Sequence, residues 1–165
     1  MDVQLAPMTA PEGRAVVDLF NHYVAHSFAA FPEDPVPYPF FDRLLEAARG
    51  FPTVAAKAPD GRLLGFALLR PHSPWPTCSH VAEITYFVAP DSTRQGIGSR
   101  MLARLQQDAN ARGIRTILAA ISSLNETSLA FHRKHGFVEV GRFRNVCIKR
   151  GTPFDVVWMQ KELWR

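Results

Sequence analysis

The chain reads as an α/β (α+β) protein in which a mixed central β-sheet is flanked by helices on both faces. Three observations predict this. Segments of period-2 and period-3.6 apolar spacing follow one another in the order β-α-α-β-β-β-α-β-α-β-β. A glycine turn at 93–99, TRQGIGS, ends a strand-like run and opens a helix-like one. At 165 residues and 47% apolar content, the chain suits one domain spanning 1–165, with no repeat, linker or low-complexity tract to divide it.

The elements follow in order. Val3 to Ala6 is a short first strand. Thr9-x-x-Glu12 reads as a capping box with Pro11 in the first turn, which predicts a helix running to about Phe28. The stretch FPEDPVPYP, 31–39, holds four of the 13 prolines and is a loop. A second helix, Phe40 to Arg49, stops at Gly50. Thr53–Ala58 and Leu63–Arg70 are strands joined by the turn Pro59-Asp60-Gly61. A second Pro-rich loop, 71–80, precedes the strand Val81–Val88. The next helix carries Ile97, Met101, Leu105 and Ala109 on one face and ends at Gly113. Ile114–Ile121 is a mainly apolar run and reads as a fully buried strand. Asn125 can cap a helix that ends at Gly136, and Phe137–Ile148 with Phe154–Leu163 close the sheet as an antiparallel pair.

The turn at 93–99 is a candidate anion site. With Gly96 and Gly98 at a helix start, several backbone N–H groups point the same way and no side chain blocks a ligand. The helix dipole adds partial positive charge and Arg94 a full one, which suits a phosphate or pyrophosphate. A Walker A loop is excluded because no lysine follows. A dinucleotide fingerprint is excluded because the third glycine is missing.

Thr93 to Gly98 resembles motif A of the GNAT superfamily of N-acetyltransferases, whose pattern is Gln/Arg-x-x-Gly-x-Gly/Ala. Thr93 departs from it at the first position. NETSLAFHRKHGF, 125–137, resembles the superfamily's later segment Asn-x-x-Ala/Ser-x-x-x-Tyr/His-x-x-x-Gly-Phe. NHYVAHSFAAFPE, 21–33, and the tail from Gly141 to Leu163 are similar to the phosphinothricin (methionine sulfoximine) acetyltransferase branch. The resemblance covers nearly the whole chain. It implies the GNAT fold, acetyl-CoA (coenzyme A) as cofactor, and acetyl transfer to the primary amine of a small molecule, an amino acid or analogue.

Several residues then acquire expected roles. Glu83 shares one strand face with Thr85 and Phe87, opposite Ala82, Ile84, Tyr86 and Val88. A carboxylate there must be paired or solvated in a cleft, and partial desolvation makes a carboxylate a better base. The resemblance makes Glu83 the general base. It makes His132 the proton donor to the departing thiolate, a task imidazole performs with a pKa near 6.5. Around the cofactor it places Phe87 and Val88 along the pantetheine arm, with Arg94, Gln95, Gly96, Ile97, Gly98 and Ser99 at the phosphates. Asn125 and Ser128 join them at the start of the next helix. Phe28, Phe31, Tyr38 and Trp75 flank the two Pro-rich loops as candidate acceptor-pocket residues. The loop 71–80 lacks the Arg and Tyr that the branch places before its catalytic Glu.

Composition narrows the partners. Net charge is +4, with no block of basic residues, so nucleic acid is not expected. No secretory signal and no apolar run of roughly 18 residues is present, and Cys78 and Cys147 do not make a disulfide framework; a cytoplasmic protein without membrane contact is expected. The His22/His26 and His132/His135 pairs lack a third ligand at metal spacing, so no metal is expected. A homodimer is open, with Phe143 to Trp158 as its contact. Two alternative readings remain: a protein N-terminal or lysine acetyltransferase, and a non-catalytic acyl-CoA-binding module.

Overall fold

The computed structural model describes residues 2–163. The elements are β1 (Gln4–Ala6), α1 (Gly13–His26), α2 (Phe40–Ala47), β2 (Thr53–Lys57), β3 (Leu63–Pro71), β4 (Val81–Val88), α3 (Ile97–Ala111), β5 (Thr116–Ser122), α4 (Glu126–Lys134), β6 (Val138–Lys149) and β7 (Thr152–Glu162). Seven strands form one sheet in the order β1-β2-β3-β4-β5-β7-β6. Among the described residues only β4 and β5 are parallel neighbours, so the sheet is mixed as expected.

Strand alternation builds a core on each face. Ala55, Phe66 and Leu68 pack against Val16, Val17, Phe20 and Val24 of α1 and Phe41 of α2. Their neighbours in sequence, Val54, Ala56, Ala67 and Leu69, face the other way. They pack with Ile97, Met101, Leu102 and Leu105 of α3 and Leu129 of α4. Each buried Val, Leu, Ile, Phe or Met among them contributes about 1.5–3 kcal/mol, which is why the period-2 and period-3.6 patterns dominate the fold.

Both ends of α1 and the burial of β5 differ from the sequence reading. Thr9 donates both its N–H and its hydroxyl to the Glu12 carboxylate, at 2.7 Å each, but this closes a short 3-10 turn at 10–12 and α1 begins only at Gly13. That helix stops at His26, where Ser27 turns extended and its hydroxyl bonds the Tyr23 carbonyl at 2.8 Å. The strand expected to be fully buried is not. Ile117, Ala119 and Ile121 are buried, whereas Thr116, Leu118 and Ala120 are partly exposed, because only one face of β5 joins a buried core.

That opening is the feature that positions the site. β4 pairs with β3 along its whole length, to Val88 opposite Gly65. It pairs with β5 only at Val81–Thr116, Ala82–Ile117 and Glu83–Leu118. From Ile84 onward the two strands diverge. At the far edge, β6 leaves Val138, Val140, Phe143, Val146 and Ile148 between 53% and 69% exposed. No helix among the described residues is long and apolar enough to cross a membrane.

Candidate active site

A cavity of about 950 Å³ lies where β4 leaves β5. Ile84 to Val88 form one wall and Ala119 to Ser122 the other. Beyond Glu83, the β5-facing backbone groups of β4 have no β5 partner. Backbone donors and acceptors in such a place need partners. An extended ligand carrying amide groups can supply them as an added strand would. Tyr23 donates its hydroxyl to the Val88 carbonyl at the mouth of the gap.

One end of the cavity is the glycine turn. Arg94 (φ 61°) and Gly96 (φ 77°) are both left-handed, which swings the chain directly into α3. The first helical bond of α3 runs from the Arg100 N–H to the Gly96 carbonyl, so the N–H groups of Ile97, Gly98 and Ser99 have no intrahelical acceptor. All three residues line the cavity with Thr93, Arg94 and Lys134. N–H groups at a helix start beside two cations are suited to an anion. The Gln95 side chain is not part of it; its amide donates to the Asp91 carbonyl at 3.1 Å and braces the turn from outside. Lys134 was not singled out from the sequence, because nothing in its spacing shows that α4 brings it beside the turn.

The start of α4 borders the same space. Asn125 accepts the Ser128 N–H at 3.2 Å, so it caps the helix while it and Ser128 line the cavity.

The middle of the cavity holds the titratable groups, on opposite faces of β4. On the α1 side, Glu83 receives Arg70 on Oε2 and His72 Nδ1 on Oε1, both at 2.8 Å. Its side chain keeps 16% exposure and lines the cavity with Arg70. On the α4 side, His132 is 2% exposed. Its Nδ1 lies 2.7 Å from the Ser128 carbonyl and its Nε2 lies 2.7 Å from the Tyr86 hydroxyl. Burial depresses the ring to about 4, and nearby His135 adds to this while the Ser128 bond opposes it. The ring is therefore neutral at neutral pH, unlike the value near 6.5 that the sequence suggested. Burial also pushes the Tyr86 phenol up.

The other end is walled by residues 27–32, including Phe28 and Phe31. The β6–β7 hairpin holds this wall from behind. Lys149, buried on β6, donates to the carbonyls of Ser27 and Ala30 at 2.7 Å each. Phe154 packs on both Phe28 and Phe31, with centroids 5.7 and 5.8 Å apart. The Arg150 backbone and side chain bond Glu33 and the Val24 carbonyl. Tyr38 and Trp75 lie elsewhere. Tyr38 bonds Asp18 at 2.9 Å under the Arg14 guanidinium. Trp75 is 71% exposed and borders a separate groove with Phe51 and Arg112. The Pro-rich loops carry them outward, which proximity in sequence does not reveal. Among the described residues, no group of three or more His, Cys, Asp and Glu side chains could hold a metal.

A model of the acetyltransferase (GNAT) family matches residues 16–137. The chain is 32% identical over 166 residues to a phosphinothricin N-acetyltransferase of Streptomyces coelicolor, covering 98% of this chain and 97% of that protein. It is 30% identical over 152 residues to an L-methionine sulfoximine/L-methionine sulfone acetyltransferase of Pseudomonas paraeruginosa, covering 90% of this chain and 87% of that protein. A phosphinothricin acetyltransferase from Sinorhizobium meliloti, solved in complex with acetyl-CoA, superposes with a TM-score of 0.91 at 24% identity, covering 98% of this chain and 89% of that one.

Proposed function

This chain belongs to the acetyltransferase (GNAT) family, and we propose that it moves the acetyl group of acetyl-CoA to the primary amine of a small acceptor, an amino acid or close analogue. One observation carries the reading: the unpaired edge of β4 runs from an anion-binding helix start to a cavity-facing carboxylate. The relatives that act on phosphinothricin and methionine sulfoximine support the acceptor class.

The chemistry follows from position. The N–H groups of residues 97–99, with Arg94 and Lys134, suit the pyrophosphate. The edge at Phe87 and Val88 suits the amides of pantetheine, which aims the thioester at the middle of the cavity. Glu83, held by Arg70 and His72, takes a proton from the acceptor ammonium. The freed amine attacks the thioester carbonyl, and the C–S bond breaks. Much of the acceleration comes from holding amine and thioester together. Phe28 and Phe31 form the acceptor wall, and the proton for the leaving sulfur comes from the Tyr86–His132 side of β4.

Thiol release from acetyl-CoA tests this against free amino acids, their phosphinic and sulfoximine analogues, polyamines and short peptides. Saturable turnover of an amino-acid-like amine is expected. Turnover of protein N-termini or lysines alone would overturn the acceptor class. Acetyl-CoA binding with no turnover of any amine would favour a binding module.

A homodimer belongs to the same reading. The exposed apolar row on the edge strand β6 suits a second copy paired edge to edge about a two-fold axis. Light scattering should give a dimer mass, and Phe143→Asp should reduce it to that of a monomer. Cytoplasmic placement is supported by the two unpaired cysteines, Cys78 and Cys147.

A further inference from the structure

We infer that Tyr86 and His132 form one proton shuttle, in which the Tyr86 hydroxyl meets the reacting atoms and His132 holds the proton behind it; the inference rests on the acetyl-transfer reading above. Two bonds dictate it. The Ser128 carbonyl can only accept, so His132 Nδ1 carries the ring hydrogen at 2.7 Å. Nε2 is then the unprotonated nitrogen, and the Tyr86 hydroxyl donates to it at 2.7 Å. In this tautomer His132 has no hydrogen free to offer a ligand. Both its nitrogens are engaged, and the ring is enclosed by Phe131, Phe137 and Tyr86. Both side chains border the cavity, with Tyr86 half-buried and the His132 ring 2% exposed. The Tyr86 phenol is the group through which a proton passes between His132 and the cavity.

The steps balance. Attack of the amine on the thioester carbonyl leaves a tetrahedral adduct with a protonated nitrogen. That N–H gives its proton to the Tyr86 oxygen as the Tyr86 proton moves to His132 Nε2. The imidazolium keeps its Nδ1–H on Ser128. The carbonyl then reforms, the C–S bond breaks, and the electron pair stays on sulfur. The thiolate takes a proton from Tyr86, which recovers one from His132 Nε2. The net change is one proton moved from nitrogen to sulfur, with the pair restored. Because burial keeps the ring at about 4, it returns that proton readily. The raised phenol keeps Tyr86 from becoming a resting anion.

Single-turnover kinetics with the best acceptor test the pair. Tyr86→Phe keeps the ring packed on Phe131 and removes only the hydroxyl. It should slow acetyl transfer on the order of 10²-fold, with acetyl-CoA affinity unchanged. His132→Gln should lose a similar factor, and the double variant should lose no more than either single, as expected of residues that act as a unit. In mixtures of light and heavy water, the wild-type rate should bow with deuterium fraction, reporting two protons in flight, and Tyr86→Phe should make the dependence linear. A purely structural role for Tyr86 would leave the bow unchanged. Near-native transfer by a folded Tyr86→Phe protein, multiplying losses, or a linear wild-type dependence each overturns the shuttle while the acetyl-transfer reading stands. Absence of wild-type transfer to any amine overturns both.

Discussion

Arg70 and Glu83 lie directly opposite each other on β3 and β4, and the guanidinium donates to the carboxylate at 2.8 Å. His72, two residues on from Arg70, takes the second carboxylate oxygen at the same distance. The mid-strand carboxylate is thus satisfied by its own neighbours, and its orientation into the cavity is fixed before any acceptor arrives. Cross-strand opposition makes this possible, because directly opposed residues are the closest side-chain pairs in a sheet.

The base assignment is tested by Glu83→Gln, which keeps shape and removes the proton acceptor. Turnover should fall on the order of 10²–10⁴-fold, the range for general acid–base groups, with acetyl-CoA binding retained. Steady-state rates at saturating cofactor, beside calorimetric binding, measure both. Near-native turnover would move the role of base away from Glu83.

The anion site is tested by Gly98→Val. A Cβ on Gly98 already lies 3.4 Å from the Phe131 ring and 3.8 Å from the Val88 side chain. A branched side chain therefore pushes into the cavity wall beside the free N–H groups. Most acetyl-CoA affinity should disappear, while circular dichroism shows a folded protein. Equal binding by the folded variant would rule out this turn as the phosphate site.

Acid should destabilise the fold in two separable stages. His132 titrates at about 4 when folded against 6.5 ordinarily. The unfolded chain thus takes up a proton that the folded chain refuses. Stability is full above about 6.5 and falls as the pH drops toward 4, by a total on the order of 3 kcal/mol. Burial alone would raise Glu12, but hydrogen bonds from Lys57 and Thr9 outweigh it and hold the carboxyl at about 2. Its contribution is present above 4.5 and is lost as the pH falls from there toward 2. Urea midpoints for the native protein and His132→Gln should diverge in slope between pH 6.5 and 4. Parallel curves would show that His132 does not set the first stage.

Lys149→Met should damage the proposed acceptor wall from behind. The substitution leaves the Ser27 and Ala30 carbonyls without their buried donor. Each unpaired buried acceptor costs about 1–3 kcal/mol. The expected result is a lower melting temperature and a raised KM for the amine, with the KM for acetyl-CoA little changed. An unaltered amine KM would show that the wall does not depend on this cation.

Much of the fold was legible because it rests on local periodicity. Ala55, Phe66 and Leu68 alternate with Val54, Ala67 and Leu69 in the sequence, and that alternation alone assigns them to opposite cores. The segments proposed to hold the cofactor, 93–99 and 125–137, were legible as a turn and a cap because each is contiguous, and the structure brings both to one cavity. The acceptor side was not legible. Lys149, Arg150 and Phe154 reach residues 24–33 across more than a hundred positions of chain, and no spacing encodes that. The partial exposure of β5 was hidden for a related reason. An apolar run looks the same whether both faces of its strand are covered or only one. Trp75 and Tyr38 were singled out as loop aromatics, but the direction in which a proline-rich loop carries its side chains is set by contacts absent from its own sequence.

The clamp between residues 24–33 and the β6–β7 hairpin ties the proposed acceptor wall to one partner segment. The proposed cofactor site is written in β4, α3 and α4, and the proposed acceptor wall in one loop and one hairpin that hold each other. Transplanting 27–33 and 149–154 together, as matched inserts from a relative of different acceptor preference, would therefore carry a new amine pocket onto an unchanged acetyl-CoA site. Either insert alone would bring side chains with no counterpart to receive them.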